Sequence, residues 1–188
     1  TSTGAFSTTG DVNLAANITT TDTDLTIGGN LVVAEAATPT LSTGAGTAGN
    51  VLVSGTTNGT TGGVAENLTV QAGTGTVTFT GNVGNATNAT ELEALTITNA
   101  GATLFSGAVT LANALTQTNA ATGATTFTGA VSVGSADLKG TAFNVNNSFA
   151  SAGTTAFTNS GVLTKNSTGN ITSTGAFSTT GDVNLAAN

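Results

Sequence analysis

The sequence predicts an all-β parallel β-solenoid (β-helix) of about eight coils, each of roughly 20–25 residues, within a period of 171 residues. Three observations predict it. Residues 1–17, TSTGAFSTTGDVNLAAN, recur without a change as residues 172–188. A triplet of Gly, then Asn, Asp or Ala, then an aliphatic residue returns along the chain. Between the triplets lie short alternating strands punctuated by Gly and Asn.

A 17-residue identity at a spacing of 171 cannot arise from biased composition, so the chain reads as one period plus its overlap into the next, a window on a tandem array. Residues 1–188 are taken as a single solenoid segment of that array, with 172–188 as the start of the next period. On this reading Val183 is expected in the environment of Val12. The finer markers are Gly10-Asp11-Val12, Gly29-Asn30-Leu31, Gly49-Asn50-Val51, Gly81-Asn82-Val83, Gly107-Ala108-Val109, Gly129-Ala130-Val131 and Gly181-Asp182-Val183. A degenerate copy stands at Ser160-Gly161-Val162, and a further one is expected near Asn67-Leu68.

The unit beginning at Gly107 shows what a coil contains. AVTL is followed by a turn at Ala112-Asn113, then ALTQT, a turn at NAATG, and ATTF before a Thr-Gly corner. Three strands and three corners make one triangular turn. Val109 and Leu111 face inward and Thr110 outward, the alternation of a strand with one wet face. Gly and Asn at corners supply unusual backbone angles and side-chain bonds to the main chain. Like residues then stack coil on coil, with Phe105 over Phe127 and Val109 over Val131. Coils about 4.8 Å apart give the period an axial height near 38 Å. Pro39, where marking is weakest, is placed in a loop or outward corner.

Composition agrees. Among 188 residues, 57 are Ser or Thr, 26 are Gly and 20 are Asn, while Leu, Ile, Val and Phe together number 41. Only 6% are charged, the net charge is −7 and mean hydropathy is +0.22, which separates the chain from solvated disordered tails. Lys139 and Lys165 are the only basic residues, so there is no counterion-releasing patch for nucleic acid and nothing to attract anionic lipid. No apolar run reaches the ~20 residues of a membrane-spanning helix. Cys, Met, Trp, Tyr and His are all absent, which removes disulfides and thiolate or imidazole metal sites and suits long exposure outside a cell.

The cassettes LTVQAGTGTVTFTGNV, LTITNAGATLFSGAV and LTQTNAATGATTFTGAV, within residues 68–133, resemble the degenerate β-strand repeats of giant bacterial surface and fibre proteins, the filamentous-haemagglutinin-like adhesins and autotransporter passengers. The resemblance implies a right-handed parallel β-helix at the cell surface. The exact long-period duplication belongs to fibres more than to adhesin heads.

Enzymatic β-helices need clustered carboxylates with a cationic or histidine partner. The acidic residues are Asp11, Asp22, Asp24, Glu35, Glu66, Glu91, Glu93, Asp137 and Asp182, without Arg or His. Asp22 with Asp24, and Glu91 with Glu93, read as pairs on one face of a strand. Their expected role is that of solvated charges opposing lateral aggregation. Oxygen ligands for calcium abound, but the GGxGxDxUx calcium repeat is missing. The glycines at 28–30 and 46–50 lack the Lys and helix of a phosphate loop. No catalytic, cofactor-binding or metal-ligating residue is assigned, and no cofactor is expected.

Thr76/Thr78, Thr96/Thr98 and Thr116/Thr118 recur at a spacing of 20 and read as a Thr ladder, the surface of an ice-binding solenoid. The leading expectation is a non-enzymatic structural segment of an extracellular filament, sheath or stalk, partnered head to tail by further copies of itself. The alternatives are an adhesive passenger binding cell surfaces or glycans and, as a lesser reading, an ice-binding protein.

Overall fold

Short β-branched runs bounded by Gly, Asn or Asp leave each strand about two inward side chains before the chain must turn, and three such turns bring it back above its starting point. A computed structural model describes residues 1–46, 49–60, 65–85, 92–166 and 168–186, with the side chains of 119–122 left aside. The described elements are all strands, and they pair in parallel. The chain is an all-β parallel β-solenoid of about seven turns with a period of about 22 residues.

The first coil carries β1 (Phe6–Thr8), β2 (Val12–Leu14) and β3 (Ile18–Thr19), one strand on each of three faces. The second repeats the order with β4 (Leu25–Ile27), β5 (Leu31–Val33) and β6 (Thr40–Ser42). Next come β7 (Val51–Val53), β8 (Thr57–Asn58) and β9 (Asn67–Gln71), then β10 (Thr76–Phe79), β11 (Val83–Gly84) and β12 (Ala94–Asn99). After β13 (Ala102–Phe105) and β14 (Val109–Thr110), β15 (Ala114–Phe127) runs from the third face round the corner on to the first face of the next coil. β16 (Val131–Val133) leads into β17 (Ser135–Val145), which turns the same corner. β18 (Phe149–Ser151), β19 (Thr155–Asn159), β20 (Val162–Lys165), β21 (Ile171–Ser173), β22 (Phe177–Thr179) and β23 (Asp182–Leu185) complete the stack. Among the described residues the first and third faces therefore form one 15-stranded sheet, and the second face a separate 8-stranded sheet.

Like stands above like inside. On the first face Ile27, Val53, Phe79, Phe105, Phe127 and Val145 are in register, and all are buried. The rings of Phe79 and Phe105 stack at 5.5 Å and those of Phe105 and Phe127 at 5.1 Å, with interplanar angles of 3° and 2°. On the second face Val83, Val109, Val131 and Phe149 form a parallel column. The two stacks expected from the sequence are both present. Because each strand contributes so few inward residues, the interior is narrow, and a modest apolar content fills it.

Several corner glycines have a steric reason. A Cβ on Gly55 would lie 2.5 Å from the Gly29 carbonyl oxygen, one on Gly81 2.4 Å from that of Gly55, and one on Gly107 2.6 Å from that of Gly81. Successive coils touch backbone to backbone at this corner, and only hydrogen fits between them. A second column, Gly49, Gly75 and Gly101, occupies the corner before the first face.

The structure corrects four details. First, the markers belong to two corners rather than one: Gly29-Asn30-Leu31 and Gly81-Asn82-Val83 precede the second face, whereas Gly49-Asn50-Val51, Ser160-Gly161-Val162 and Gly181-Asp182-Val183 precede the first. Asn67-Leu68 opens β9 on the third face. Second, the turn expected at NAATG is not a break, because β15 continues through it with shifts of register. Third, Pro39 is in a loop but buried, and its carbonyl accepts the Thr69 amide at 3.0 Å. Fourth, Val183 does not share the environment of Val12: Val12 pairs with Leu31 on the second face, and Val183 with Leu163 on the first. The reason is that turns vary in length. The step from Val131 to its partner Phe149 is much shorter than that from Leu31 to its partner Thr57, and the long period does not hold a whole number of turns.

Two pairs of variants check these assignments by chemical denaturation. Val109→Asp or Phe127→Asp is expected to lose several kcal/mol through an unpaired interior charge, against about 0.5 for outward Thr110→Asp. Equal losses would mean that the inward and outward sets are misassigned. Gly81→Ala or Gly107→Ala is expected to cost about 1–3 kcal/mol by forcing adjacent coils apart, whereas Gly10→Ala, which meets nothing within 4 Å, stays within about 0.5.

Candidate functional site

Asp and Asn residues at the corners form an ordered set of polar groups. The Asp11 Oδ1 accepts the Asn30 backbone amide at 2.7 Å, and the Asn30 Oδ1 accepts the amide of Thr56 at 2.9 Å. At the other corner Asp24 Oδ1 accepts the Asn50 amide at 2.8 Å, and Asn50 Oδ1 that of Thr76 at 2.9 Å. Asn82 Oδ1 accepts the Ala108 amide at 2.9 Å. Each Asp or Asn thus reaches one coil onward and satisfies an amide that the bend removes from the sheet ladder. These side chains join coil to coil.

The acidic residues are dispersed. Asp22 and Asp24 do not share a strand: Asp22 sits at φ 55° in the turn between β3 and β4, and Asp24 is engaged with Asn50. Glu91 lies outside the described residues, and the Glu93 carboxylate accepts a bond from the Asn113 amide group. Asp11, Asp22, Asp24, Glu35, Asp137 and Asp182 are exposed. Asp137 and Lys139 approach to 3.9 Å along β17, a surface pair of little energetic weight. Glu66 departs from the expected solvated role. It is buried, and its Oε1 accepts bonds from the Thr60 amide at 3.0 Å and the Thr60 hydroxyl at 2.5 Å. Among the described residues no three acidic side chains gather into a metal-binding group.

The Thr pairs split between faces. Thr76 and Thr78 stand on the first face, where Thr78 lies between Leu52 and Leu104. Thr96 and Thr116 stand on the third, continuing a column from Thr40 and Thr69 and ending against Asp137. The three pairs do not form one ladder. The step from Thr76 to Thr96 falls short of the full turn that separates Thr76 from its partner Ala102, and it carries the chain to another face.

Two inward polar groups escaped sequence reasoning because they occupy apolar positions of the alternation. Gln117 stands in the column of Ile97 and Leu138; its Nε2 donates to the Lys139 carbonyl at 2.7 Å, and its Oε1 accepts from Thr125 at 2.9 Å. Lys165 stands beside Val145 and Leu185 in the first-face column. Its ammonium donates to the carbonyls of Asn166 at 2.5 Å and Thr168 at 2.6 Å. Burial holds its pKa below the ordinary lysine value of 10.5.

Lys165 also lines a hollow of about 570 Å³ at the C-terminal end, with Leu163, Ile171, Phe177, Val183 and Leu185. Phe177 and Val183 are each 46% exposed and Leu185 69%, at inward positions of the last described coil. The hollow is the cross-section of the core, seen end on. At the other end Phe6, Val12 and Ile18 are half covered by the second coil.

Lys165 generates a pH prediction. Since its folded pKa is depressed below 10.5, the unfolded chain holds the proton over the window between the two values, and stability rises with pH through that window. Lys165→Met is expected to raise the melting temperature at neutral pH and to flatten this rise. A melting temperature lowered by the substitution would instead mean that the two carbonyl bonds outweigh the burial of the charge.

No family model, curated protein or solved structure matches the chain.

Proposed function

We propose that the chain is a non-enzymatic structural segment of an extracellular filament, sheath or stalk, joined head to tail with further copies of itself. The observation that carries this reading is the 17-residue identity at a spacing of 171 in a fold whose stabilising contacts run from one turn to the next. A solenoid of this kind extends by adding turns, and each added turn buries the apolar edge of the one before it. Phe177, Val183 and Leu185 form such an edge.

Other features support the parts of the reading. The dispersed carboxylates and the absence of Arg and His from the sequence support a passive role. The absence of the easily oxidised Cys, Met, Trp and Tyr supports an extracellular place. The outward columns mix hydroxyl and amide side chains with apolar ones such as Leu52 and Leu104 and carry few charges, which suits lateral packing of fibres. The β-strand repeats resemble those of bacterial fibre proteins and adhesins, and the solenoid is consistent with both.

Electron microscopy and fibre diffraction of the native protein test the proposal. Filaments with an axial spacing of about 4.8 Å, the separation of stacked strands, are expected. A capped monomer that binds glycans and forms no filaments would overturn the structural reading in favour of the adhesive one. Polysaccharide hydrolase and lyase assays are expected to show no turnover; activity abolished by Asp22→Ala with Asp24→Ala would refute the passive role.

A further inference from the structure

The two identical segments of the chain sit on different faces. Phe6 pairs with Leu25 on the first face, whereas Phe177 pairs with Thr155 on the third. Val12 is on the second face and Val183 on the first. Following the strands from Phe6, the chain completes seven turns at Leu163 and crosses two more faces before Phe177. One period therefore spans seven and two-thirds turns.

We propose that in a tandem array each 171-residue repeat enters the solenoid one face out of step with its predecessor, so that every outward column appears in turn on all three sides of the fibre. This inference rests on the reading of the chain as a tandem array. The occupant of the open C-terminal edge is then residues 18–42 of the next copy, following directly on residue 188. Those residues already cover the same sequence within this chain: Leu25 lies on Phe6, Thr26 on Ser7 and Leu31 on Val12, and Asp11 accepts the amide of Asn30 at 2.7 Å. Placed after residue 188, they would cover Phe177, Ser178 and Val183 by the same pairings, with Asp182 accepting the amide of the next Asn30.

The fold tolerates this shift because its rules are local. A strand is positioned by the turn beneath it and not by the face it is on. The Gly-Asn-Val marker demonstrates this within one chain: Asn50 before the first face and Asn82 before the second each bond an amide of the following coil at 2.9 Å. Three repeats bring the pattern back into phase after 23 turns, three times seven and two-thirds, so the true axial repeat is about 110 Å at about 4.8 Å per turn. A fibre built in this way has no privileged side, and lateral contacts formed by one column recur in three directions.

The test extends the full chain after residue 188 with further 171-residue copies to give four repeats, with Thr110→Cys in each as the only cysteines, labelled with maleimide-gold. Electron microscopy is expected to show successive labels about 37 Å apart in height and on successive faces, returning to the same face every third repeat. Labels on one side throughout would overturn the phase step, and Thr78→Cys, on the first face, repeats the measurement if the first variant folds poorly. Cover is tested separately by cysteines at Ser178 and at Thr26 of the following copy, which are expected to form a disulfide on oxidation. Failure to cross-link would remove residues 18–42 as the occupant. Stepped labels in the four-repeat chain together with native material that forms no filaments would leave the phase step standing and defeat the array; one-sided labels on genuine native filaments would do the reverse.

Discussion

Parallel backbone pairing between one turn and the next is the interaction on which the rest of this structure depends. The amide of Val83 reaches the carbonyl of Ala108 at 2.8 Å, that of Val109 reaches Ala130 at 2.9 Å, and that of Val131 reaches Ser148 at 2.9 Å. Bonds of this kind set the rise between coils and hold equivalent positions one above another. A side chain therefore meets mainly its counterparts in the coils above and below, and a column of similar residues packs with little need for a thick core. That is how a sequence with 41 Leu, Ile, Val and Phe among 188 residues builds a buried core.

The same constraint explains the corners. Coils separated by the spacing of paired strands bring corner backbones into contact, so glycine is required where a Cβ would strike the Gly55 or Gly81 carbonyl. The residue after it must turn the chain while leaving no amide unpaired, and Asp or Asn does so by bonding to the next coil. The Gly-Asx-aliphatic triplet is thus a three-part device: close contact, satisfied amide, first inward side chain. Among the described residues it occurs at two corners of the prism.

Some polar groups placed inward find partners in the narrow interior, whereas the buried hydroxyls of Thr57, Thr103 and Thr155 have none among the described residues. Gln117 is satisfied by Lys139 of β17 and by Thr125, farther along β15 beyond the corner. Lys165 satisfies its ammonium with two carbonyls of the following loop but still loses hydration, which is why its pKa falls.

The sequence by itself determined the strand-and-corner alternation, the parallel solenoid, the columns of Phe105 with Phe127 and Val109 with Val131, and the glycine at each marked corner. These are legible because they depend on period-two burial and local turn chemistry, both written in consecutive residues. Which corner each marker occupies was decided only by the tertiary structure. So were the path of β15 through NAATG, the burial of Pro39 and Glu66, the separation of Thr78 from Thr96, and the displacement of Val183 from the face of Val12. All of these depend on phase, the accumulated length of the preceding turns. Turn length varies along the chain, as the short step from Val131 to Phe149 and the long one from Leu31 to Thr57 show, so the identical terminal segments follow the same local rules and arrive on different sides of the prism.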